Sequence, residues 1–148
     1  MTEEFVTKAI LKWLIDNQWK IICFDFPQSG TGKVLHMNNS STQKNKDSII
    51  PDIVAVKESI SVFFENKDRF YQPDYEKVNR LIVDNQYTDA ISSLLSEYEI
   101  RQIFYGIGLP KCKHQENSER SAHLVNFIIG VNENKTIEIL YNPENIAF

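Results

Sequence analysis

The chain has 148 residues, of which 42% are hydrophobic, 24% charged and 11% aromatic. That is enough apolar material for one core and too little length for two ordinary domains, and it excludes a disordered chain, a collagen-like chain and a small disulfide scaffold. Sixteen Lys and Arg against twenty Asp and Glu give a formal charge of −4. This excludes a strongly basic, histone-like binder but not a nuclease, whose grip on nucleic acid rests on local patches and bound metal.

The opening MTEEFVTKAILKW lacks a basic segment followed by an uninterrupted apolar run, so no signal peptide is expected. No stretch approaches the roughly 18 apolar residues of a membrane span. Cys23 lies in an apolar run and Cys112 in a polar one, which is no disulfide framework. The expectation is a cytoplasmic protein with no membrane partner, folded as a single domain over residues 1–148.

Residues 2–17 read as a helix, capped by Thr2, with Glu3 and Glu4 in the first turn where the helix dipole favours acids. Val6, Ala9, Ile10, Trp13 and Leu14 recur at helical spacing. Residues 19–24 read as a short strand. The polar stretch 25–48 follows, with GKVLHM at 32–37 as its one strand candidate. Residues 52–57 and 60–67 read as a hairpin turning at Glu58 and Ser59. Residues 74–85 and 87–98 read as helices, with Pro73 and Asp74 suited to a helix start. Residues 101–107 read as a strand, 111–120 as a polar patch, and 124–131 with 136–141 as a last hairpin. The order α-β-β-β-α-α-β plus a hairpin predicts an α/β fold, a mixed sheet flanked by helices.

The hairpin at 52–67 carries the chemistry. If Lys57 pairs with Ile60, Asp52 falls directly opposite Glu65, with Cβ atoms about 4.5–5.5 Å apart. Glu65 and Lys67 are two residues apart and share a side, while Ile60, Val62 and Phe64 point the other way, towards the core. One sheet face is thus expected to gather Asp52, Glu65 and Lys67. Opposed like charges are destabilising in a sheet. Mg²⁺ offsets them well, being a hard ion that takes one or two carboxylates and keeps several waters. A lysine beside water activated by such a cation can orient it and stabilise charge developing on a phosphate.

Pro51 and Asp52, twelve further residues, then Glu65, Asn66 and Lys67 resemble the signature of the PD-(D/E)xK nuclease superfamily. The resemblance covers about residues 2–107. It implies a restriction-endonuclease-like core (helix, three strands, helix, strand) and Mg²⁺-dependent hydrolysis of DNA phosphodiesters, Mn²⁺ being a substitute. Asp52 and Glu65 would then be metal ligands and Lys67 the residue that positions water. A glutamate on the first helix belongs to many members, and Glu3, on the side of Val6 and Ile10, is the candidate in preference to Glu4. The segment EEFVTKAILKWL resembles the first helix of the virus-type replication-repair branch, with Thr7 where that branch usually carries glutamine.

Candidate contacts to a DNA backbone are Lys33, Lys44 and Lys46 in the long polar stretch, Lys77 on the helix after the motif, and Lys111 and Lys113 in the basic cluster after the fourth strand. SGTGKV at 29–34 only imitates a phosphate-binding loop, because Pro27 and Val34 stand where Gly and Ser or Thr are needed. Cys112, His114 and His123 match no established zinc spacing. A homodimer would double the contacts of so small a nuclease and supply two sites. These features predict an endonuclease of the restriction, phage-defence or DNA-repair kind. The alternative is a non-catalytic or partner-dependent nucleic-acid-binding or assembly subunit of a larger complex with the same fold.

Overall fold

The structure, a computed structural model, describes residues 1–26, 30–38 and 48–148. Helix α1 spans Glu3–Asp16; the Thr2 hydroxyl accepts the Phe5 N–H at 3.1 Å, and Val6, Ala9, Ile10 and Leu14 are buried. Gln18, at φ 71°, turns the chain into strand β1 (Lys20–Phe24). Strands β2 (Ile53–Lys57) and β3 (Ile60–Asn66) form the expected hairpin, with Lys57 paired to Ile60 and Ile53 to Phe64. Helices α2 (Gln72–Val83) and α3 (Thr88–Leu94) lead to β4 (Gln102–Pro110). A 3-10 turn at 111–113, helix α4 (Glu116–Ser121) and a second turn at 122–124 lead to β5 (Phe127–Val131) and β6 (Ile137–Tyr141).

Among the described residues this is an α/β fold with one six-stranded mixed sheet, ordered β1 to β6 as in the chain, and four α-helices. The β1–β2, β2–β3 and β5–β6 pairs are antiparallel; β3–β4 and β4–β5 are parallel. Parallel neighbours cannot be joined by a tight turn. The chain crosses over through α2 and α3 in one case and through the α4 segment in the other.

Both sheet faces are covered. On one, Ile53, Ala55, Val62, Phe64, Phe127 and Ile129 pack against Val6, Ile10 and Leu14 of α1. On the other, Val54, Val56, Phe63, Tyr105 and Ile107 pack with Tyr75 and Val78 of α2 and Ile91 of α3. This corrects the expectation that the core lies on one side of the hairpin. The run Ser61, Val62, Phe63, Phe64 is buried throughout, as a central strand with a parallel neighbour requires. The GKVLHM strand is reduced to one bridge between Leu35 and Ile49. The helix read at 87–98 is shorter, β4 runs on to Pro110 by pairing with β5, and the polar patch at 111–120 contains α4.

Two glycines of β4 mark close approaches. A Cβ on Gly106 would enter the Phe127 ring, and one on Gly108 would meet Asn66 and Ile10. Gly106→Ala is expected to cost about 1–3 kcal/mol, lowering the melting temperature by roughly 3–10 °C. An unchanged thermal melt would show that the ring gives way freely. Beyond β6, Asn142 and Ile146 exchange two hydrogen bonds of 3.0 and 2.9 Å. They seat Phe148 with its ring centroid 5.2 Å from those of Trp13 and Phe127 and 5.9 Å from that of Trp19. No helix among the described residues is long and apolar enough to cross a membrane.

Candidate functional site

The site forms where the start of β2 meets the ends of β3 and β4. The Asp52 N–H donates to the Phe64 carbonyl at 2.9 Å, and the Lys67 N–H to that of Gly108 at 2.8 Å. The ladders therefore run one residue past each strand. Asp52 is held across from Glu65, and its Oδ2 accepts the Asn66 N–H at 2.6 Å. Strand alternation sends Glu65 to the α2 side and Asn66 to the α1 side. The Asn66 amide donates to Thr7 Oγ1 at 3.1 Å, both residues being buried, and thereby ties α1 to the central strand. Asn66 Oδ1 is buried and finds no hydrogen-bond partner among the described residues.

Lys67 is the hub. Its Nζ lies 3.2 Å from Glu65 Oε1, 3.6 Å from Asp74 Oδ1 and 3.8 Å from Glu3 Oε1. Lys77 Nζ, from the second turn of α2, also lies 3.2 Å from Glu65 Oε1. The Glu65 side chain is only 11% exposed, so these are half-sheltered pairs rather than solvated surface ones. The α1 and α2 N-terminal turns bring Glu3 and Asp74 to the site. Glu4 instead pairs with Lys8 at 2.8 Å.

Four carboxylates thus face two ammoniums. With all six ionised, two negative charges remain uncompensated, the charge that one divalent cation would balance. The strain falls on Asp52, whose carboxyl is pushed up to about 8 by burial and by Glu65 across the strand. Burial also pushes Asp74 up. Burial alone would lower Lys67, but Glu65, Asp74 and Glu3 outweigh it and hold the ammonium above its ordinary value. Asp52 and Glu65 fit Mg²⁺: two close carboxylates, one of them accepting from a backbone N–H and strained by its own charge, with the remaining positions left to water. Among the described residues no group of three or more His, Cys, Asp and Glu is arranged to hold a metal by itself, which leaves Cys112, His114 and His123 without a zinc cage.

The site accordingly brings together Glu3, Asp52, Glu65, Lys67 and Lys77. Of the other lysines read as DNA contacts, Lys33 and Lys113 are exposed. Lys111 pairs with Glu138 of β6 at 2.7 Å, both side chains being partly exposed. Lys44 and Lys46 lie outside the described residues. The sequence reading missed Asp74 as a partner of Lys67, and it missed the Thr7–Asn66 bond. The one available signal for Asp74 was an acid at a helix start soon after the motif. No protein-family model, curated protein or solved structure matches the chain.

Proposed function

We propose that the chain is a Mg²⁺-dependent DNA endonuclease of the PD-(D/E)xK kind, with a restriction-endonuclease-like core. The observation that carries this reading is the set formed at the β2–β3 edge: Asp52 opposite Glu65, with Lys67 Nζ 3.2 Å from Glu65 and Glu3 of α1 beside it. The helix, three antiparallel strands, helices and parallel fourth strand support the core assignment.

Asp52 and Glu65 would hold Mg²⁺, which when bound polarises the phosphodiester and eases deprotonation of water. Lys67, charged and positioned by three acids, donates to the attacking water or to the phosphate oxygen on which charge develops. Glu3 orients Lys67 from the far side. Lys77 holds the Glu65 carboxylate in place and offers a second positive charge to the phosphate. Asn66, fixed by Thr7, keeps Glu65 and Lys67 directed into the site.

The test is cleavage of supercoiled plasmid, linear duplex and a four-way junction with Mg²⁺, Mn²⁺ or EDTA, using wild type and Lys67→Ala. Metal-dependent cutting that the variant loses is the expected result, and the substrate cut names the branch. Cutting by neither protein moves the chain to a partner-dependent subunit, and cutting that survives in Lys67→Ala places the chemistry elsewhere.

A further inference from the structure

The loop between β3 and α2 presents one aromatic side chain that the core does not use. Phe70 turns inward, its ring centroid 5.1 Å from that of Tyr75 in an edge-on contact, and anchors the loop. Its two neighbours turn outward: Arg69 has a side chain 76% exposed, and Tyr71 is 60% exposed. Both line the same open cleft as Glu3, Lys67 and Asp74. Among the described residues Tyr71 is the one exposed aromatic, since every other Phe, Tyr and Trp is buried or half-buried.

We propose that Tyr71 is a stacking platform for an unpaired DNA base beside the scissile phosphate, so that the site acts on single-stranded or frayed DNA in preference to intact duplex. This inference rests on the nuclease reading for what happens at the phosphate, though not for the binding itself. In a duplex the faces of the bases are covered by their neighbours, and an aromatic side chain at the backbone reaches a face only after the base has left the stack. A single strand offers that face at little cost, whatever the base. Charge argues the same way. The chain carries −4 overall and its site has more acids than cations, so phosphate contacts alone supply little of the affinity. Stacking is the attraction that remains when electrostatics is weak. Tyr71 is four residues from Lys67 on a loop pinned by Phe70, which keeps the platform at a fixed place beside the reacting group. Arg69, whose Nε lies 3.6 Å from Asp68 Oδ1 in an exposed pair that a phosphate can replace, would follow the backbone of the neighbouring nucleotide.

The experiment is fluorescence anisotropy in EDTA, where nothing is cut, with an oligothymidylate of about 15 nucleotides and its duplex with oligoadenylate. Wild type is expected to bind the single strand more tightly. Tyr71→Ala is expected to lose about 5- to 150-fold on the single strand and less than about twofold on the duplex, with Tyr71→Trp retaining wild-type binding. Arg69→Ala is expected to weaken both ligands and to reduce the salt slope by about one unit. Equal losses on both ligands in Tyr71→Ala, no loss on either, duplex preferred by wild type, or oligouridylate preferred over oligothymidylate would each overturn the proposal. Tight single-strand binding lost in Tyr71→Ala, with no cutting when Mg²⁺ is added, would sink the nuclease reading and leave the platform standing.

Discussion

Asp52→Asn is expected to melt at a higher temperature than the wild-type chain at pH 8 in metal-free buffer, and to cut no DNA. Asparagine keeps an oxygen to accept the Asn66 N–H and removes the buried charge that faces Glu65. The sign follows from linkage. The carboxyl titrates near 8 in the folded chain against about 3.9 unfolded, so the folded chain holds the proton more tightly. The Asp52 contribution to wild-type stability is therefore largest below about pH 4 and is lost as pH rises to about 8. Asp74, also displaced upward, adds slope of the same sign, and Lys67, displaced upward from a high value, stays charged throughout this window. Both remain in the variant, so the difference between the two proteins isolates Asp52. A gain of about 1–3 kcal/mol, or roughly 3–10 °C, is expected at pH 8 and none at pH 4. Mg²⁺ should raise the wild-type melt at pH 8 and leave that of the variant where it was. Calorimetric melts from pH 4 to pH 8, with and without Mg²⁺, would expose the error if Asp52→Asn gains nothing at pH 8.

Lys67→Ala should separate binding from cutting in the opposite sense. The ammonium lies 3.2 Å from Glu65 Oε1 and, if Glu65 holds Mg²⁺ as proposed, would compete for the charge the metal ion needs. Its removal should tighten Mg²⁺ binding by about tenfold, because like charges this close repel by a few kcal/mol even in a polar surrounding. Cleavage should fall by about 10²- to 10³-fold or more, the usual loss when a donor to the developing charge is removed. Without metal the variant should be less stable than wild type, since Glu3, Glu65 and Asp74 lose their shared counter-charge. Titration calorimetry with Mg²⁺ decides this, and affinity falling together with activity would mean that Lys67 does not compete with the cation.

The local features were legible because local chemistry makes them. Thr2 caps α1, and the two-residue turn at Glu58 fixes the register that sets Asp52 against Glu65. What failed was whatever tertiary packing decides. Helix α4 has no apolar period; its buried residues are Ser118, whose hydroxyl donates to the Gln115 carbonyl at 2.7 Å, and Ser121, with buried Ala122 following, so its sequence reads as loop. Asp74 meets Lys67 only because α2 folds back over the end of β3, a distance no spacing rule encodes. Thr7 and Asn66 are 59 positions apart, and each alone reads as an ordinary polar residue. Lys111 meets Glu138 only because the β5–β6 hairpin lays β6 alongside, a pairing no spacing rule encodes. The composition of the hairpin showed charge and core on alternate sides, whereas the second core beneath α2 followed from helices whose docking the hairpin does not specify.

The aromatic cluster around Phe148 has a spectroscopic consequence. Trp13 and Trp19 are the two tryptophans of the chain, and both touch that ring on the α1 side of the sheet. Intrinsic emission is therefore a one-sided probe. It reports release of α1 and of residues 142–148, and it is blind to loosening of α2 and α3, where Tyr75 and Tyr105 are the buried fluorophores. A denaturation followed at tryptophan wavelengths that precedes the one followed by far-ultraviolet circular dichroism would mark the α1 layer as the first to detach, and with it Glu3 from the site.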